Sequence, residues 1–229
     1  MVRPVKKKQI PNLQEAIKET AWSQISKVGA PALSLRAIAR ELKITAPAIY
    51  NYFPDRDALV TALIMDAYMS FGDWQFEGRD SAPLGEHAER MKGIGTSYRN
   101  WAHTYPQRYQ LIFGTPIPSY VYPAEKVFPA SVHAITPLFS LVEEIRLAGK
   151  LNAKGFKPVK KEYEPHFELW KSKLSSLNPQ THFVAMLVWS RVHGIVSLEL
   201  RGNIILFGED GNALYMAQMK SITDEFIKE

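Results

Sequence analysis

Three helix-starting signals, at Asn12, Ser34 and Thr45, follow one another so closely that the first quarter of this 229-residue chain has little choice but three short helices. Asn12, with Glu15 three residues later, caps a helix whose apolar positions Leu13, Ile17, Ala21, Ile25 and Val28 recur at helical spacing, and Gly29 ends it. Ser34 opens a shorter helix with the stripe Leu35, Ile38, Ala39 and Leu42, while Arg36, Arg40 and Lys43 face outward. After a tight turn at Lys43 and Ile44, Thr45 caps a third helix from Ala46 to Tyr52. Pro47 falls in its first turn, where a missing N–H costs nothing.

Two short helices joined by a three- or four-residue turn form the layout of a helix-turn-helix. A helix entering the major groove end-on needs small residues at its tip, here Ala46 and Ala48, and hydrogen-bonding side chains behind them, here Tyr50, Asn51 and Tyr52. Ile49 and Phe53 point back into the core. Charge agrees with this reading. Residues 1–54 hold nine Lys and Arg, Lys6 to Lys8 among them, against three Glu, whereas the remaining 175 hold nineteen basic and twenty acidic residues. The whole basic excess therefore sits on the module that would meet a polyanion. A plain three-helix bundle with an accidentally basic face is the competing reading, and it leaves the coincidence of cap, turn, small tip and charge unexplained.

The segment from Leu35 to Leu59 resembles the DNA-binding domain of the TetR/AcrR transcriptional regulators. The likeness rests on Tyr50, Asn51, Tyr52, Phe53, Asp55, Arg56 and Leu59 and extends over Gln9 to Leu63. Pro47 and Asn51 depart from the family's commoner residues. The resemblance implies that Ser34 and Arg36 bond phosphates at a helix N-terminus, and that Thr45, Ala46, Pro47 and Asn51 face base edges. It further implies that Tyr50 and Tyr52 anchor phosphates and that Arg56 clamps another; the competing reading of Arg56 is a surface partner for Asp55 or Asp57. The domain division expected is 1–56 for DNA binding and 57–229 for effector binding and dimerisation.

The rest reads as helical throughout, so the fold class is all-α: an N-terminal three-helix helix-turn-helix domain and a C-terminal helical ligand-binding and dimerisation domain. Asp55 caps a fourth helix running to about Phe76, without a linker between modules, and in the family such a helix transmits ligand binding. Further helices are expected at Pro83–Tyr105, Gln107–Phe113 and Pro123–Lys150, the last interrupted or bent at Pro129 and Pro137. Gly114 to Pro123 is a proline-broken loop and Leu151 to Glu164 a polar one. A short helix around His166 to Leu174 precedes a long one from Pro179 to Arg201 that is apolar nearly all round, and a final helix starts from an Asp210 cap. Such terminal helices are expected to pair with those of a second subunit. Phe183, Leu187, Gly194, Leu198, Tyr215, Met219, Ile222 and Phe226 are the dimerisation candidates, consistent with the family's four-helix interface. The spacing of Trp189, His193 and Gly194 resembles the signature of the WHG-type C-terminal domain.

Aromatic residues recur through the middle of the chain. Core packing explains most of them, but Tyr68, Phe71, Tyr98, Trp101, Tyr105, Phe113, Trp189 and His193 are candidates to line a pocket, since inducers bind there in TetR-type regulators. Arg99, Asn100 and His103 could supply its polar groups. The effector expected is a small apolar or aromatic molecule. The six histidines form no metal-ligand pattern and no nucleophile or phosphate-loop motif is present, so no enzyme activity, metal or cofactor is expected. With no cysteine and no apolar run of signal or spanning length, the chain is expected to be cytoplasmic, without membrane contact. The alternative function is a helical scaffold or small-molecule binder lacking specific DNA readout.

Overall fold

A computed structural model describes residues 10–157, 178–204 and 211–228. Its elements are α1 (Leu13–Val28), a single 3₁₀ turn (Ala30–Ala32), α2 (Leu35–Glu41), α3 (Ala46–Tyr50), α4 (Arg56–Asp80), α5 (His87–Thr104), α6 (Pro106–Phe113), α7 (Ala124–Leu147), α8 (Pro179–Leu200) and α9 (Asn212–Phe226). Among the described residues the only β pairing is one antiparallel bridge, Leu151 to Ile227. The fold class is therefore all-α. Lys6 to Lys8, the expected helix at His166 to Leu174 and the Asp210 cap lie outside the described residues.

The caps set the small helices as their residue types dictate. The Asn12 side chain accepts from Glu15 N–H, Ser34 from Ala37 N–H and Asp55 from Ala58 N–H, at 3.4, 3.4 and 2.7 Å. Thr45 takes the N-cap position in extended conformation, but its side chain makes no capping bond. The turn between α2 and α3 is a Schellman motif: Ile44 N–H donates to Ala39 O and Lys43 N–H to Arg40 O, with Lys43 left-handed at φ 56°. Ile17, Ala21, Ile25, Ile38, Ile49 and Phe53 close one small core, joined by Trp22, which the apolar spacing alone does not single out.

α4 is the spine. It begins in the small module and runs on to Asp80, a turn beyond the expected end, packing along α5 and α7. Glycines let the helices approach: a Cβ at Gly78 would lie 2.3 Å from Gly93 O, and one at Gly72 only 2.4 Å from the His133 ring. Arg90, buried on α5, pairs with Glu144 of α7 and donates to Arg79 O at 3.2 Å. α7 carries Pro129 and Pro137 without interruption. Lys18 ties α1 to α4 through Asp66 at 2.7 Å, and Arg108 of α6 lies over the Trp22 ring of α1.

The last two helices divide differently from the expectation. Tyr215, Met219, Ile222 and Phe226 are buried within the protomer, where the Tyr215 hydroxyl donates to Gly95 O at 2.5 Å and Met219 packs over Gly95. They cannot form an outer interface, because the apolar stripe of α9 is needed to cover α5. α8 keeps an outward face instead. Phe183, Leu187 and Gly194 are part-exposed, Leu198 is exposed, and nothing among the described residues lies within 4 Å of where a Cβ at Gly194 would stand.

Candidate nucleic-acid interface and internal cavity

The outward side of α2 and α3 brings the expected DNA-facing residues together. Thr45, Pro47, Tyr50, Asn51 and Tyr52 are exposed, with Ala46 half-buried beside them and Ile49 fully buried beneath. Tyr50 and Tyr52 leave 45 and 46% of their surface in solvent, unusual for aromatic residues unless the surface has a use. Ser34 and Arg36 flank this tip at the start of α2, and no ion pair among the described residues holds Arg36, Arg40 or Lys43. A helix tip with a small-residue approach, hydroxyls and uncommitted cations around it can bond phosphates and reach base edges.

Arg56 is a correction. Its guanidinium donates to Ala30 O at 3.0 Å and Pro31 O at 3.2 Å and pairs with Asp57 at 3.3 Å. It braces the 3₁₀ turn against the start of α4, where the turn's carbonyls lie within its reach.

A cavity of about 420 Å³ lies among α4, α6, α7 and α8. Tyr68, Phe71, Phe113 and Trp189 line it as expected. Gln75 of α4, Ser131, Ala134, Ile135, Leu138 and Phe139 of α7, and His182 and Met186 of α8 complete the wall. Burial pushes the Tyr68 phenol well up and lowers the His182 imidazole, so both are neutral near pH 7.

Four expected lining residues lie elsewhere. Trp101 is wholly buried with its indole N–H donating to Ser70 Oγ at 3.1 Å, and Tyr105 packs against Trp74 and Trp101 under Arg108. Tyr98 and His193 form a polar knot behind the wall: His193 Nδ1 lies 2.8 Å from the Tyr98 hydroxyl and 3.1 Å from that of Tyr109, which also meets Ser197 Oγ at 2.7 Å. Helical spacing groups these rings on shared faces, but polar partners pull Tyr98 and His193 out of the cavity. Burial, aided by Arg201, lowers the His193 imidazole. Arg99 and His103 also miss the cavity, meeting buried Glu199 at 2.8 and 2.9 Å. The overlooked α7 wall had a signal in the spacing of Ser131, Ala134, Ile135 and Leu138, obscured by the two prolines. The α8 stripe of His182, Met186 and Trp189 was legible, though not its use.

Residues 17–63 match the bacterial regulatory proteins of the tetR family, and residues 91–222 match the tetracyclin repressor-like C-terminal domain, which alone spans more than half of the chain. The chain belongs to the TetR family. It is thus a DNA-binding transcriptional regulator by family, and the family is one of regulators, not of enzymes. The HTH-type transcriptional regulator Rv1816 of Mycobacterium tuberculosis is 29% identical over 201 residues, covering 83% of this chain and 81% of that protein. The crystal structure of a protein described as regulatory, SCO4313, is 31% identical and superposes with a TM-score of 0.72 over 94% of this chain and all of the other. A protein from Rhodococcus sp. RHA1, 18% identical, shares the fold at a TM-score of 0.74, with 98 and 100% of the two chains covered. The TetR match to the small module covers Ser34, Arg36 and the whole of α3, and the match to the larger one covers Trp189 to Gly194.

Proposed function

We propose that this TetR-family regulator is a homodimeric repressor that binds a pseudo-palindromic operator and releases it when a small apolar or aromatic effector enters the α4–α7–α8 cavity. The division of labour falls near Arg56: residues 1–56 read DNA, while 57–229 sense and pair. Ser34, Arg36, Tyr50 and Tyr52 hold phosphates, and Thr45, Ala46, Pro47 and Asn51 meet base edges. The protein works in the cytoplasm, without cofactor or membrane.

The observation that carries the reading is the sharing of α4. The helix starts against the DNA-reading turn at Asp55 and lends Tyr68, Phe71 and Gln75 to the cavity wall, so an occupant that presses on these side chains biases the position of the DNA-reading end. The apolar outer face of α8 supports pairing. This helix is long and apolar enough to cross a membrane by length and composition alone, yet only 33% of its most apolar stretch is buried within the protomer. A second copy of the same face would cover it and set two α3 helices about 34–36 Å apart, one turn of DNA.

Selection of bound sites from genomic DNA, followed by mobility shifts across a salt titration, tests the reading. A two-fold symmetric site, bound tightly and weakened steeply by salt, is the expected outcome. Salt-sensitive binding with no sequence preference would instead favour a helical small-molecule-binding scaffold.

A further inference from the structure

Gln75 is an anomaly in the cavity wall. It is 3% exposed, sits mid-helix on α4 and faces a space otherwise lined mainly by rings and aliphatic side chains. Its amide orientation is fixed by its neighbours: the nitrogen lies 2.7 Å from Ala134 O and 3.3 Å from Phe71 O, and only an N–H can donate to two carbonyls. The amide oxygen is therefore the end left over, and no donor among the described residues bonds it. An acceptor that opens on a cavity of rings and aliphatic side chains has no donor there among the described residues, so the site favours an occupant that supplies one.

Two further polar groups of the wall, Ser131 and Tyr68, already have neighbours of their own. Ser131 already donates its hydroxyl hydrogen to Phe128 O at 2.8 Å, and the Tyr68 hydroxyl has the Tyr122 phenol beside it. No Lys, Arg, Asp or Glu is among the described lining residues, so an ionised group entering here would lose its hydration with no counter-charge from them. A cavity of about 150 Å³ takes one benzene ring, so about 420 Å³ suits a molecule of two or three rings.

We infer, on the reading of this cavity as the effector site, that its ligand is an uncharged, largely aromatic or alicyclic molecule bearing one hydroxyl or N–H, which donates to Gln75 Oε1. Gln75 is then the residue that selects donor-bearing ligands over equally apolar ones lacking a donor.

Three probes of one shape test this in the full-length protein by calorimetry: 2-naphthol, 2-methoxynaphthalene and 2-naphthoate. Wild type should bind the naphthol about tenfold more tightly than the methyl ether, the value of one net hydrogen bond, and should bind naphthoate weakest. In Gln75→Met the naphthol preference should vanish while methyl ether affinity is kept, which also reports an intact cavity. Ile135→Trp, which fills the space, should abolish binding of all three. Equal wild-type affinities for naphthol and ether, a preference that survives in Gln75→Met, or tightest binding of naphthoate would each overturn the inference while leaving the cavity as a ligand site. Should Gln75→Met fail to fold, the wild-type ranking decides alone. If no probe binds, or if Ile135→Trp binds them unchanged, the effector-site reading falls as well.

Discussion

Arg56 stands directly after the α4 cap, and its guanidinium reaches back to the carbonyl oxygens of Ala30 and Pro31. Removing it in Arg56→Ala should cost about 1–2 kcal/mol of stability, read as a lower urea midpoint, because two carbonyls lose a charged donor. The salt dependence of operator binding should stay unchanged; a slope smaller by about one would return Arg56 to the phosphate-contacting set. The buried imidazoles give a second residue-level expectation. His182 and His193 are both lowered from an ordinary 6.5 by burial. As pH falls below about 6.5, the unfolded chain takes up protons that the folded one refuses, so stability should decline between pH 7.5 and 5.5. The lowered carboxyls of Asp80 and Glu143 remain ionised across that window and lose their contribution only near or below their ordinary 3.8 and 4.5. Urea midpoints at the two pH values measure the decline, and His193→Gln should shrink it. Residue identity made Asn12, Ser34 and Asp55 legible as caps, because a cap is a local bargain between neighbours. For Arg56 only the neighbouring Asp57 was legible as a partner, since the carbonyls it braces lie 25 and 26 residues away.

At the scale of elements, the turn between α2 and α3 is held by a lysine in a left-handed conformation that glycine adopts more readily. Lys43→Gly should therefore raise stability by about 1 kcal/mol, seen as a higher thermal midpoint. A fall would mean that the lysine stem contributes more by packing than its backbone conformation costs. Helix number and order outside the undescribed segments were readable from apolar periodicity, with ends shifted by a few residues. Which face of a helix turns inward was less so. On α9 the stripe of Tyr215, Met219, Ile222 and Phe226 is as apolar as any dimer seam, and only the presence of Gly95 opposite Met219 shows that α5 claims it. On α7 two prolines suggested an interruption or a bend; the helix is not interrupted and turns Ala134, Ile135 and Leu138 to the cavity.

For the whole molecule, Gly194 offers the sharpest test of pairing. A Cβ there would meet nothing within 4 Å among the described residues, so Gly194→Leu should leave the fold intact and even favour the helix by several tenths of a kcal/mol. If two α8 faces pack closely, the same change should drive the protein to monomer in sedimentation at micromolar concentration and weaken operator binding. An unaltered dimer would place the interface elsewhere. The continuity of α4 has one more consequence. Because a single unbroken helix links the two modules, each residue added within it would swing the small module by about 100° about the helix axis relative to the cavity. Length changes near the middle of α4 are thus angular errors before they are spacing errors, and only insertions near whole turns, such as seven residues, would restore the original bearing. Splicing the larger module to another regulator's small module therefore requires matching helical phase as well as sequence.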